Sequence, residues 1–268
     1  MQLESLLDPV RSIAREAGRA IMGIYAQADH DVSNKDDQSP LTAADLAAHK
    51  IIVEGLRALD PAIPVLSEED ANMPWSERSA WQRYWLVDPL DGTKEFIRRN
   101  GEFTVNIALI AEGVPVFGVV YAPVLDWLYS GVQGQGASKQ TGQELQSIQC
   151  TALTEGQPSL RVVASRSHRG EELERWLSAM QARFPEVELV SMGSSLKICL
   201  VAEGRADIYP RLAPTCEWDT AAAQAVLEAA GGVVLDPDGK PLRCNSKDSL
   251  LNPHFYALGD RNFNFRGA

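Results

Sequence analysis

The sequence predicts an α+β chain built in two halves, and three observations predict it. Two helical patterns open the chain, a run of short apolar segments separated by turn residues follows, and strand and helix patterns then alternate as far as residue 235. The first half reads as helices on an antiparallel sheet, the second as layered α/β.

In the first helix, Leu6, Val10, Ile13, Ala17, Ala20, Ile21 and Ile24 recur at steps of three and four, which makes one apolar face ending near Tyr25. A polar stretch over 29–39 follows. Pro40 suits a helix entry, and Thr42 with Asp45 three residues on reads as a start signal for a second helix carrying Leu46, Ile51, Ile52, Leu56 and Leu59. Asp60-Pro61 stops it, because proline removes an amide and restricts the residue before it. Strands are predicted at 63–66, 85–87, 105–111, 116–121 and 127–130, the last three as an antiparallel meander. Beyond Thr151 the pattern gives strands at 160–164, 187–190, 206–209 and 233–235, with helices at 171–182, 196–203 and 219–230. The Gly-, Ser-, Gln- and Thr-rich stretch at 136–155 reads as the boundary. It divides an N-terminal half, 1–145, from a C-terminal half, 146–268.

The chain has 268 residues, 45% hydrophobic and 23% charged, without a repeat or low-complexity tract, which is the composition of a globular protein. Its formal net charge of -11 repels nucleic-acid polymers and anionic membranes at long range. A small anionic substrate stays compatible with that charge, since bound cations and local basic residues invert the sign of a site. Glu4, Asp8, Arg11, Arg15 and Glu16 interrupt the first 25 residues, so no signal-peptide core is expected there, and no apolar run has transmembrane length. The four cysteines, Cys150, Cys199, Cys216 and Cys244, are widely spaced and read as reduced thiols of a cytoplasmic protein. The oligomeric state is left open.

Three short acidic segments carry the candidate chemistry. Glu68-Glu69-Asp70 follows an apolar strand and reads either as a solvated turn or as a source of metal ligands. In Asp88-Pro89-Leu90-Asp91-Gly92-Thr93, Asp88 is expected at a strand tip, held extended by Pro89, with Gly92 permitting a turn. Two carboxylates and the Leu90 carbonyl present hard oxygens suited to Mg²⁺, and like charges so close call for a cation. An ordinary Asp-rich turn is the alternative. Asp219, in Glu217-Trp218-Asp219-Thr220, is open to reading as a helix N-cap or as a ligand, and Asp45 to a comparable capping role. Taken together, Asp45, Glu68, Asp88, Asp91 and Asp219 match the charge of two or three Mg²⁺ ions and suit hydrolysis by metal-activated water.

These motifs, with Ser39-Pro40-Leu41-Thr42 and Trp218-Asp219-x-Ala221-Ala222, resemble those of the lithium-sensitive inositol monophosphatase superfamily. Thr93-Lys94-Glu95-Phe96, the stretch from Asn100 to Asn106, Ser165-Arg166-Ser167-His168, Gly193 to Lys197 and Tyr209-Pro210-Arg211 are most similar to its bacterial 3′(2′),5′-bisphosphate nucleotidase branch. The resemblance implies a layered α-β-α-β-α sandwich of the inositol monophosphatase and sugar phosphatase type, with the site between the halves. It implies one metal on Glu68, Asp88 and the Leu90 carbonyl, and a second on Asp88, Asp91 and Asp219, with a weaker third near Glu68. Thr93, with Asp45 or Glu68, would orient the attacking water. Glu68, Leu90, Asp91, Gly92, Thr93, His168, Ser194, Lys197, Arg211 and Asp219 would contact substrate. Trp85 and Trp218 read as packing, and Lys94, Arg98 and Arg99 as solvated cations.

The expected activity is hydrolysis of adenosine 3′,5′-bisphosphate to AMP and phosphate, lithium-sensitive and serving sulfate assimilation, with the 5′-phosphosulfate relative as a further substrate. Glu95, where inositol phosphatases carry Asn, favours a nucleotide. An inositol monophosphatase, a sugar bisphosphatase and a non-catalytic nucleotide-binding regulator are the alternatives. Such proteins are expected in the cytoplasm or on the cytoplasmic face of the inner membrane.

Overall fold

A computed structural model describes residues 2–27, 40–154, 156–164 and 170–266. The stretch at 29–39 and the Ser165–His168 motif therefore lie outside the described residues, His168 among them.

After a 3-10 turn, α1 (Leu7–Gln27) and α2 (Pro40–Leu59) form as the periodicity predicts. Ala44, Ala48, Ile52 and Leu56, four residues apart, are fully buried and form the inner stripe of α2. The helix begins at Pro40, so Thr42 and Asp45 lie inside it and not at its cap. The strands β1 (Val65–Ser67), β2 (Arg83–Asp91), β3 (Thr104–Ala111), β4 (Val114–Ala122), β5 (Trp127–Val132), β6 (Gly136–Thr141) and β7 (Glu144–Ile148) make one sheet in that spatial order. β1 runs parallel to β2, and every other pair is antiparallel. Two short helices, α3 (Trp75–Arg78) and α4 (Thr93–Ile97), lie in its connections.

The second sheet takes β8 (Ser159–Ala164), β9 (Glu186–Ser191), β10 (Ile208–Arg211), β11 (Val233–Leu235) and β12 (Phe255–Leu258), in the order β11-β12-β10-β8-β9. Its helices are α5 (Glu171–Gln181), α6 (Leu196–Ala202) and α7 (Glu217–Ala229). The change of sheet falls between Ile148 and Ser159, and much of the stretch read as a boundary loop is the β6–β7 hairpin.

Side chains alternate across the first sheet and fill two cores. Trp85, Val87, Val105, Ile107 and Leu109 pack against α1 and α2, while Tyr84, Leu86, Ala108 and Ile110 pack against α6 and α7. That second core continues into Val163, Tyr209, Phe255 and Ala257 of the other sheet, whose far face is covered by Leu173, Trp176, Leu177 and Met180 of α5. The layers run α1/α2, sheet, α6/α7, sheet, α5, which is the α-β-α-β-α sandwich expected. The central α7 is alanine-rich because it lies almost on the backbone of β4 and β5. A Cβ at Gly131 would stand 2.6 Å from Val226 Cα and 2.8 Å from Ala225 O, closer than packed atoms approach. Trp85 and Trp218 are buried, as expected of packing residues. Among the described residues, no helix is long and apolar enough to cross a membrane.

Candidate active site

β2 delivers two acidic side chains to the face covered by α6 and α7, and a bulge decides how. The pairing of β2 with β3 shifts between Asp88, opposite Asn106, and Asp91, opposite Thr104. Proline within this segment cannot donate to the ladder, and an irregularity absorbs the missing bond. Asp88 keeps the parity of Tyr84 and Leu86, facing α7, whereas Leu90 turns to the α1/α2 core. Asp88 lies inside β2, not at its tip as expected; Asp91 is the last residue of the strand, and the chain turns at Gly92.

Gly92 precedes α4 with φ +97°, a left-handed conformation that an L side chain resists. A Cβ there would also press on Ser194 Cβ at 3.2 Å and Phe103 Cα at 3.3 Å. Gly92→Ala is expected to lose about 1–2 kcal/mol of stability and to displace the Ser194 wall. Denaturant unfolding beside the substrate KM, which rises, is the check.

Three carboxylates share one arrangement, with one oxygen tied to a backbone amide. Leu90 N donates to Asp88 Oδ1 at 3.0 Å, Ser195 N to Asp91 Oδ2 at 2.5 Å, and Cys216 N to Asp219 Oδ2 at 2.9 Å. Each carboxylate is thereby fixed through one oxygen. Asp219 is not the N-cap; Cys216 is, and the two form a reciprocal capping box across the first turn of α7. Ser195 is itself fixed, its Oγ donating to Asn106 Oδ1 at 2.8 Å and lying 2.8 Å from Thr104 Oγ1.

Burial and mutual repulsion raise every member of the cluster. Asp88, almost fully buried, is pushed well up by burial and then by Asp91, Glu68, Asp219 and Asp45. Asp91 is raised to about 7, by burial and then Asp219, against the pull of Lys197 and the Ser195 amide. Asp219 is raised to about 6, chiefly by burial. Glu68, exposed as a residue, is raised by burial of its carboxyl and then by the charges of Asp91 and Glu69, with a side-chain hydrogen bond to Asp88 opposing the rise. On α2, burial followed by Glu69 and Glu68 lifts Asp45 to about 8, and its Oδ1 is buried without a hydrogen bond.

Among the described residues, no three His, Cys, Asp or Glu side chains are already gathered into a ligand group, so an ion would have to turn the carboxylates toward it. The donor chemistry fits a hard divalent cation nonetheless. All the candidate side-chain ligands are carboxylates, and their repulsion is the feature a cation relieves.

Beside this cluster lies a cavity of about 290 Å³ that brings together Asp91, Gly92, Thr93, Ser194, Lys197, Arg211 and Asp219 from the expected set. Asp45, Glu68, Asp88 and Leu90 are not in its lining; Asp88 feels the charges of the lining residues Asp91 and Asp219 as well as those of Glu68 and Asp45. Ser194 stands at φ +46° with its Oγ buried and without a hydrogen bond, aimed by a strained backbone. Lys197 is buried, and burial lowers its pKa to about 8 while Asp91 opposes the fall. Arg211 donates to Pro214 O at 2.9 Å. Tyr209 and Phe255, edge-on at 5.9 Å, supply aromatic wall. Of the cations read as solvated, Arg99 donates to Tyr25 O at 2.8 Å and lies over that ring.

Sequence reasoning missed Ser195, Thr104 and Asn106 as holders of Asp91, and Tyr209, Thr215 and Thr220 as cavity walls. Ser195, Asn106 and Tyr209 fall in stretches already singled out, so a signal existed. Thr215 has none.

The profile of the Inositol monophosphatase family matches residues 2–261. The chain is 55% identical over 251 residues to the 3'(2'),5'-bisphosphate nucleotidase CysQ of Escherichia coli O157:H7, covering 93% of this chain and 98% of that protein. In three dimensions it is similar to CysQ from Bacteroides thetaiotaomicron, with 45% identity, a TM-score of 0.83, and coverage of 95% and 97% of the two chains. An inositol monophosphatase from Anabaena (Nostoc) sp. PCC 7120 follows at 26% identity and TM-score 0.75, over 97% and 93%. The acidic bulge, the amide-anchored carboxylates and the layered sheets thus belong to a member of the inositol monophosphatase family.

Proposed function

We propose that the chain is a Mg²⁺-dependent 3′(2′),5′-bisphosphate nucleotidase that hydrolyses adenosine 3′,5′-bisphosphate to AMP and phosphate. One observation carries the choice of substrate. The cavity lining gathers Asp91, Glu95 and Asp219 together with the cations Lys94, Lys197 and Arg211. With Mg²⁺ taking up Asp91 and Asp219, which Lys197 and Arg211 otherwise face, these cations are left to a second phosphate, which a nucleoside bisphosphate has and a monophosphate lacks. The names of the relatives above point the same way.

Metal dependence is general in the family, and Glu68, Asp88, Asp91, Asp219 and the Leu90 carbonyl are the groups that would hold two or three Mg²⁺ ions. When bound, these ions would stabilise charge on the phosphoryl oxygens and leaving oxygen and acidify water. The chain's own residues do the rest. Thr93, at the start of α4, offers a hydroxyl in the cavity for orienting water. Asp45 has a buried, uncommitted oxygen and is suited to take a proton once bound cations offset the burial and the Glu69 and Glu68 charges that otherwise hold its carboxyl up. Ser194 Oγ, Lys197 and Arg211 bind the nucleotide, the two cations through charge-assisted hydrogen bonds.

Lys197→Met keeps the length and removes the charge. Loss of one charge-assisted hydrogen bond raises KM for the bisphosphate by about tenfold or more, with little change for adenosine 3′-phosphate. Steady-state kinetics on the two substrates separates the cases. The activity itself is tested by comparing kcat/KM for adenosine 3′,5′-bisphosphate and inositol 1-phosphate at one Mg²⁺ concentration, with and without lithium. Preference for the nucleotide and inhibition by lithium are expected; preference for inositol phosphate overturns the substrate.

A further inference from the structure

Asn252 lies far in sequence from every acidic motif, yet its amide reaches the back of the first turn of α7. Its Nδ2 stands 2.8 Å from Cys216 O, 3.0 Å from Thr220 Oγ1 and 3.3 Å from Thr215 Oγ1. Two hydrogens serve three acceptors, so the Cys216 carbonyl takes the best bond and the threonines share the other. Thr220 Oγ1 spends its own proton on Glu217 O at 3.1 Å, which leaves it an acceptor toward Asn252. The backbone repeats the tie. Asn252 N donates to Thr215 O at 2.8 Å, Glu217 N to Leu250 O at 2.9 Å, and Cys216 pairs antiparallel with Leu251.

What this clamp holds faces the cavity. Thr215, Thr220 and Asp219 all line it, and the residue Cys216 is held through both of its backbone polar groups. Its carbonyl is held by Asn252 while its N–H holds Asp219 Oδ2. Movement of Cys216 therefore moves the anchored carboxylate oxygen directly.

We propose that Asn252 is a positioning residue for the metal site, fixing the 215–220 turn so that the free oxygen of Asp219 is presented to a divalent ion. This rests on the reading of Asp219 as a ligand. Asparagine suits the place because all three contacts are acceptors. Aspartate, of the same size, has no donor for them and brings a charge toward Asp219.

The test is Mg²⁺ titration by calorimetry without substrate, and by phosphate release with it, for the parent chain, Asn252→Ala, Asn252→Asp and Asp219→Asn. Both Asn252 variants are expected to weaken Mg²⁺ binding by about tenfold or more, with the KM for nucleotide at saturating Mg²⁺ within about twofold of the parent. Should the alanine variant fold poorly, Asn252→Ser, which keeps a donor of shorter reach, gives the same reading. Unchanged Mg²⁺ affinity in the folded Asn252 variants, with only the melting temperature lowered, reduces the residue to a structural brace and overturns the proposal. If Asp219→Asn binds Mg²⁺ like the parent, the ligand reading fails and takes this proposal with it. If Asp219→Asn weakens binding while the Asn252 variants do not, the positioning role alone falls.

Discussion

Asp88→Asn is expected to melt above the parent protein in a chelating buffer and below it in excess Mg²⁺. Asp88 is buried among Asp91, Glu68, Asp219 and Asp45, and each raises its carboxyl further. Folding at neutral pH must therefore either bury a repelled charge or take up a proton. Asparagine has the same shape, keeps an Oδ1 for the Leu90 amide and carries no charge, so the metal-free fold gains about 1–2 kcal/mol, or ~2–8 °C at this size. In Mg²⁺ the balance inverts, because the parent gains binding energy that the variant lacks.

The sign with pH follows from the same groups. Folded carboxyls raised to about 6 for Asp219, 7 for Asp91 and 8 for Asp45 hold protons that the unfolded chain, with ordinary carboxyls, has released. Their stability contribution is complete below pH ~4 and is lost as pH rises through 6 to 8. The metal-free parent should melt progressively lower across that window. Mg²⁺ should offset the fall increasingly toward pH 8, since ligand carboxylates must be deprotonated to bind it. Melting curves across that range, with and without Mg²⁺, measure both effects; a parent and variant that melt alike in chelator contradict them.

Thr93→Ala should abolish most turnover while leaving the fold and the metal intact. Thr93 is exposed in the cavity at the first position of α4, just after the left-handed Gly92, so its side chain carries little packing. On the proposal that Thr93 orients the attacking water, its loss lowers kcat by about 10²–10⁴-fold. KM and the Mg²⁺-induced rise in melting temperature should stay near parental values. An unchanged kcat would remove Thr93 from the chemistry, and a lost Mg²⁺ response would make it a metal-site residue instead.

The acidic centre was legible because carboxylates crowded into Asp88–Asp91 and Glu68–Asp70 are costly unless a cation compensates them. What those windows do with their side chains was not. The bulge that sends Asp88 and Leu90 to opposite faces breaks the two-residue period on which strand reading depends. The bond from Ser195 N to Asp91 and the grip of Asn252 on Cys216 join residues far apart in sequence, where no local pattern records them. The long helices were readable from their stripes, whereas α4, at five residues, is too short to show one. The β6–β7 hairpin is largely exposed and polar, so its composition is that of a loop and only pairing makes it a strand pair. Fully buried β12 was missed for another reason: four residues after Asn252-Pro253 give too little alternation to separate strand from loop.

The most direct test of water attack at the 3′-phosphorus is product analysis from adenosine 3′,5′-bisphosphate turned over in ¹⁸O-labelled water with Mg²⁺, using Asp91→Asn as the control. The account predicts AMP free of label, phosphate carrying one labelled oxygen, and no products from the control. Label in the nucleotide, adenosine 3′-phosphate as the product, or full activity in Asp91→Asn would contradict it.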